Sequence, residues 1–175
     1  ATGGTGGEAD GDTYTGIENI VGSRYSDSLT GNSAANRIDG GRGADRIDGA
    51  GGNDILTGSE GNDRFVFTAS GGHDTIVDFN GGTGLGDRVD VIDFGIGLHS
   101  TFFALAADVG ANVVVTFDAN TTLTILGTSV AALAADDFIL SAVTSQLEDN
   151  TGDDILTGGA TDDVLDGGAG NDVLE

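Results

Sequence analysis

The 175-residue chain contains no cysteine, no proline, no methionine, no tryptophan and no lysine. Without cysteine there is neither a disulfide framework nor a thiol-based zinc site. Without proline, the 32 glycines cannot belong to collagen or to a polyproline linker, and they read instead as many tight turns needing positive φ. Positive charge is also scarce: six arginines face 29 acidic residues, for a formal net charge of −23. No basic footprint exists to neutralise the phosphates of a nucleic acid, and an anionic membrane surface repels such a chain. No run approaches the roughly 20 apolar residues of a membrane span, so membrane insertion is not expected. No signal peptide or initiator methionine opens the chain, which is therefore expected to be a segment of something longer.

What is present is aspartate, 24 residues against five glutamates. Its short carboxylate folds back on its own backbone in turns, whereas an acidic surface helix favours glutamate. The aspartates keep a beat. From Gly22 the sequence divides into nines: GSRYSDSLT, GNSAANRID, GGRGADRID, GAGGNDILT, GSEGNDRFV. The template is G-G-x-G-x-D-x-U-x, with U a large apolar residue. Position six holds Asp27, Asn36, Asp45, Asp54 and Asp63, and position eight holds Leu29, Ile38, Ile47, Leu56 and Phe65. An earlier unit, 13–21, keeps Gly16, Glu18 and Ile20 in phase. A second array closes the chain as DNTGDDILT, GGATDDVLD, GGAGNDVLE, with Asp154, Asp163 and Asp172 at position six. Tyr25, Ala34 and Thr161 stand where the template has its position-four glycine, and a β-carbon there strains any left-handed backbone.

These units resemble the calcium-binding nonapeptide repeats of RTX proteins, which build a parallel β-roll. The residues read the same way: a six-residue glycine-rich loop, then a three-residue strand whose middle side chain points inward. Two nines make a coil, so loops 18 residues apart stack on one edge. Asp27, Asp45 and Asp63 fall in one row, Asn36 and Asp54 in the other, and Asp154 stacks with Asp172. Stacked aspartates repel unless a cation lies between them. Carboxylates with loop carbonyls form an all-oxygen cage suited to flexible six- to eight-fold coordination, which is calcium's preference and not magnesium's. The resemblance implies that loop carbonyls and position-six aspartates two repeats apart share each ion. The metal candidates are Asp27, Asn36, Asp45, Asp54, Asp63, Asp154, Asp163 and Asp172, together with Asp74, a position-six equivalent after a short insertion. Plain Asx turns do not need aspartate in register, and halophilic acidity scatters its acids.

After Val66 the beat is lost. The stretch with DTIVDF, GDRVDV and DDFIL resembles the segment that follows the β-roll in secreted RTX proteases. VVVTF (113–117) and TTLTIL (121–126) predict antiparallel strands joined by Asp118-Ala119-Asn120, and Ser129 is positioned to cap a short helical turn. The expected fold is all-β: a right-handed parallel β-roll, an antiparallel β-rich cap and the start of a second roll. The expected divisions are 1–21 as lead-in, 22–66 as first roll, 67–148 as cap and 149–175 as second array.

No catalysis is expected. The two histidines, His73 and His99, lie in no HExxH, and no GxSxG elbow occurs. Arg24/Arg42 and Arg46/Arg64 are spaced to stack on outer faces, either offsetting the aspartates or meeting an anionic polysaccharide. The expected role is calcium-triggered folding and stabilisation of a secreted or cell-surface bacterial protein, such as an adhesin or surface-layer segment. The alternatives are an accessory polysaccharide-binding module of a secreted enzyme, such as an alginate epimerase, or the secretion-proximal part of an RTX protease or lipase.

Overall fold

An apolar residue once in nine, flanked by polar neighbours and followed by glycine, can bury one side chain per half-coil and must then turn. The computed structural model describes residues 4–5, 18–69, 72–82, 86–97, 99–140, 146–148, 155–156, 164–166 and 173–174, and it divides into two units, 1–140 and 141–175.

In the first unit the half-coils alternate between two sheets. One is ordered β1 (Gly4–Thr5), β3 (Ser28–Asn32), β5 (Arg46–Ala50), β7 (Arg64–Val66), β9 (Arg88–Asp90) and β13 (Phe138–Ile139). The other runs β10 (Ala106–Val109), β11 (Asn112–Asp118), β12 (Thr121–Ile125), β8 (His73–Ile76), β6 (Ile55–Thr57), β4 (Arg37–Asp39) and β2 (Asn19–Val21). From β2 to β9 all pairing is parallel, one strand to the next-but-one, as in a β-roll. The register sets the inward residues on two ladders. Leu29, Ile47, Phe65, Val89 and Phe138 face one another rung by rung on the first sheet. Ile20, Ile38, Leu56, Ile76, Ile125 and Val113 do so on the second. All but Ile20 are buried.

Strand pairing continues past Val66, so the coil runs on into the segment expected to be cap. The repeat length changes while the strands hold register: Ile55 pairs with Thr75 and Arg64 with Arg88. The cap proper is the antiparallel meander β10–β11–β12, laid parallel against β8, with the short helix α1 (His99–Ala104). Strands β11 and β12 match the predicted pair, and their turn is held by Asn120 N–H donating to Asp118 Oδ1 at 2.7 Å. Ser129 precedes a 3₁₀ turn, Val130–Ala132, but its side chain makes no cap bond; Asp108 Oδ1 accepts the Val130 N–H instead. All eight phenylalanines meet at the cap-proximal end: Phe67, Phe94 and Phe117 stack, Phe102 packs on Phe117, Phe103 and Phe138, and Phe65 touches Phe79.

In the second unit, β14 (Gln146–Glu148) pairs parallel with β16 (Val164–Asp166), and β15 (Ile155–Leu156) with β17 (Val173–Leu174). That is again strand to next-but-one, the register of a roll.

Candidate metal centre

Each position-six side chain ends its loop, one residue before a strand. A short carboxylate there folds back over the glycine that opens the loop. A Cβ on Gly40, Gly49 or Gly58 would lie 2.4, 2.3 or 2.4 Å from Oδ2 of Asp45, Asp54 or Asp63. The opening glycine is therefore demanded by clearance, not by its φ angle. The other oxygen reaches the preceding loop on the same edge. Asp45 Oδ1 accepts the Asp27 N–H at 2.8 Å, and Asp63 Oδ1 accepts that of Asp45 at 2.9 Å. On the opposite edge Asp54 Oδ1 accepts from Asn36 at 2.7 Å and Asp74 Oδ1 from Asp54 at 2.8 Å. The rows thus stand as spaced in the sequence, with Asp74 in place despite its 20-residue offset.

Asp45, Asp54 and Asp63 are only 2, 1 and 1% exposed. Their Oδ2 atoms, with Thr57 Oγ1, are the buried side-chain oxygens that lack a hydrogen-bond partner among the described residues. A buried carboxylate oxygen left without a donor is costly and calls for an explanation. Burial raises the three carboxyls to about 6, with neighbouring acids adding to the rise and the amide bonds opposing it. Asp74 rises to about 7 for the same leading reason. These are sites that disfavour bare negative charge while holding oxygen towards the stacked loops, and they fit a hard cation. Among the described residues no three acidic or histidine side chains converge on one point. Further ligands to such a cation would be backbone carbonyls or water.

A family model, the RTX calcium-binding nonapeptide repeat, matches residues 12–47, 30–65 and 146–174. The two arrays are RTX repeats. RTX nonapeptide repeats bind calcium and form structural modules that are not themselves catalytic. No curated protein matches the chain. Among solved structures, the R3 subunit of the mannuronan C5-epimerase AlgE6 from Azotobacter vinelandii is similar at 25% identity and a TM-score of 0.32, over 76% of this chain and 83% of that one. The β-roll described above rests on strand register alone.

At the first RTX coil Asp27 Oδ2 accepts the Ser23 N–H, and Asn36 Oδ1 accepts that of Asn32. The strain expected at Tyr25 and Ala34 is absent, because neither has a positive φ; Ala50 and Ser59, at position two, do, at 66° and 69°. Arg24 lies over the Tyr25 ring, and Arg42 pairs with Glu60 at 3.2 Å. Arg46 and Arg64 do share a register, which Arg88 extends, and Asp48 and Asp90 pair with the first two. Asp154, Asp163 and Asp172 lie outside the described residues. The sequence reading missed Asp87. It is buried, and its Oδ1 accepts the Asp63 N–H at 2.9 Å, 24 residues away. A signal was available, since Asp87-Arg88-Val89-Asp90 repeats Asp45-Arg46-Ile47-Asp48.

Proposed function

We propose that this chain is a calcium-dependent folding and stabilising module of an exported protein, with Asp27, Asn36, Asp45, Asp54, Asp63 and Asp74 lining its first calcium ladder. The observation that carries the reading is the set of orphaned, buried Oδ2 atoms on Asp45, Asp54 and Asp63 within matched RTX repeats. Bound calcium would supply positive charge between the loops, coordinated by their oxygens. The chain's own part is to hold each carboxylate over its opening glycine, to fix Oδ1 on the amide one coil back, and to exclude water from Oδ2. Without compensation, buried like charges and glycine-rich loops favour the unfolded ensemble, so binding free energy becomes folding free energy. Extracellular calcium modules commonly work at roughly 10⁻⁴–10⁻³ M, which ties folding to export. RTX repeat proteins are typically secreted by type I systems, which supports an extracellular or cell-surface place for the host protein. No described helix is long and apolar enough to cross a membrane.

In this reading the calcium roll runs from 22 through the Asp74 loop, the cap closes it within the first unit, and 149–175 belongs to a second array in which Asp154, Asp163 and Asp172 play the same part. Arrays on both sides of a cap suit a long adhesin or surface-layer segment. No catalytic role is assigned to the cap. His73 Nδ1 lies 2.9 Å from the Thr122 hydroxyl, and the neighbouring Asp74 is committed to the Asp54 amide, so the two do not form a dyad. A second reading, contact with an anionic polysaccharide, draws on the aligned Arg46, Arg64 and Arg88. Asp48 and Asp90 already offset two of the three, and the calcium reading takes precedence.

The deciding experiment is a calcium titration followed by far-UV circular dichroism, with magnesium as control. Calcium is expected to raise the β signal cooperatively and magnesium to have little effect. A folded spectrum in excess chelator that calcium leaves unchanged sinks the reading.

A further inference from the structure

Along the edge that carries Asp27, Asp45 and Asp63, the loops 22–27, 40–45 and 58–63 are followed by loop 78–87. Each rung uses the same first bond: Oδ1 of the incoming aspartate accepts the amide of the position-six residue one coil back. The second oxygen distinguishes the last rung. Asp45 Oδ2 and Asp63 Oδ2 are orphaned, but Asp87 Oδ2 accepts the Asn80 N–H at 2.9 Å. The loop opening differs as well. Gly40 and Gly58 open the earlier loops, whereas Asp78 opens this one. Its carboxylate accepts the Gly58 N–H at 2.9 Å and the Ser59 N–H at 2.8 Å. Two carboxylates thus present four oxygens to four backbone amides. On the cap side, buried Asp137 does likewise, accepting from Gly82 at 2.6 Å and from Ala134 at 2.8 Å.

We propose that the rung between loops 58–63 and 78–87 is closed by Asp78 and Asp87 on backbone amides and takes no calcium, which makes it the metal-independent seam between the RTX roll and its cap. Charge-assisted bonds from amides satisfy the buried carboxylate of Asp87 directly, the task that falls to a cation in the rungs at Asp45 and Asp63, while the exposed Asp78 ties the Gly58 and Ser59 amides across the rung. The proposal rests on the calcium reading for its contrast between rungs. On this edge of the first roll it places the boundary of calcium dependence after Asp63, inside the stretch matched at 30–65.

The test is residue-resolved hydrogen exchange on the full chain, in calcium and in excess chelator, because exchange reports local opening. The amides of Gly58, Ser59, Asp63 and Asn80 are expected to stay protected in both conditions. Those of Asp27, Asn36 and Asp45, the donors to Asp45, Asp54 and Asp63, are expected to lose protection in chelator. In parallel, native mass spectrometry is expected to count one ion fewer in Asp63→Asn and an unchanged number in Asp87→Asn. Loss of an ion in Asp87→Asn, or exchange of the four seam amides in chelator as fast as the Asp27 amide, overturns the proposal. Protection of the seam in a chain that binds no calcium at all instead sinks the calcium reading and leaves the closed rung standing.

Discussion

A Cβ on Gly61 would lie 1.6 Å from the carbonyl oxygen of Gly43, the same position one coil earlier. Backbone cannot retreat as a flexible side chain can, so Gly61→Ala must part the two loops. Overpacking of this kind costs about 1–3 kcal/mol and sometimes more. The expected result is a weaker calcium midpoint in the circular dichroism titration, and an unchanged midpoint contradicts the stacking. Ala50 is the converse case. Its left-handed backbone, φ 66°, costs an L-residue about 1–2 kcal/mol, and glycine's looser unfolded chain takes back about 0.4–1. Ala50→Gly is therefore expected to raise the thermal midpoint of the calcium-loaded protein by the equivalent of about 0.5–1 kcal/mol; a fall counts against strain at position two. That strain was legible in the template, where glycine holds position two in GGRGAD and alanine replaces it in GAGGND. The strain assigned to Tyr25 and Ala34 was not, because the glycine rule describes loops that follow another loop, and the first coil has its own backbone.

At the level of the strand and loop, the carboxylate rows carry a pH dependence of definite sign. Asp45, Asp54 and Asp63 sit at about 6 in the fold and Asp74 at about 7, against an ordinary 3.8. A raised folded-state value means the fold binds protons that the unfolded chain does not. The stabilisation is present in full below about 3.8 and is lost as pH rises through 6 to 7. In chelator, acidification from pH 7.5 to about 4.5 is thus expected to increase β structure, the proton standing in for the cation. In calcium the same acidification is expected to weaken binding, since protonated carboxyls are poorer ligands. Opposite pH trends with and without calcium check this, and parallel trends contradict it. The rows were readable from the nine-residue beat up to Asp63, and through a two-residue insertion to Asp74. Asp87 escaped because its loop is four residues longer than the template, on top of the two inserted before Asp74, and a search by period loses phase there. The strand text survived, since Arg88-Val89-Asp90 must still present one inward side chain to Phe65. Loop length drifts freely in such a fold, whereas inward and outward alternation cannot.

Across the first unit as a whole, stabilisation is divided unevenly. The roll buries one apolar side chain per nine residues, while all eight phenylalanines gather where coil and cap meet. The alternating runs made β11 and β12 legible, but no local period marks Phe67, Phe94, Phe102, Phe117 and Phe138 as neighbours, because chain folding over long separations brings them together. Phe102 is fully buried among Phe103, Phe117 and Phe138. Truncating such a ring costs about 3–5 kcal/mol, and the loss belongs to apolar packing, not to charge. Phe102→Ala is therefore expected to lower the thermal midpoint both in saturating calcium and in chelator, by unfolding the cap. Asp45→Asn is expected to lower it in calcium and to leave it unchanged or raise it in chelator, since it removes a buried charge that lacks compensation there. Melting both variants under both conditions separates the two sources of stability. If Phe102→Ala has no effect in chelator, the cap holds no calcium-independent structure. If Asp45→Asn is as harmful in chelator as in calcium, its carboxylate serves packing and not a cation.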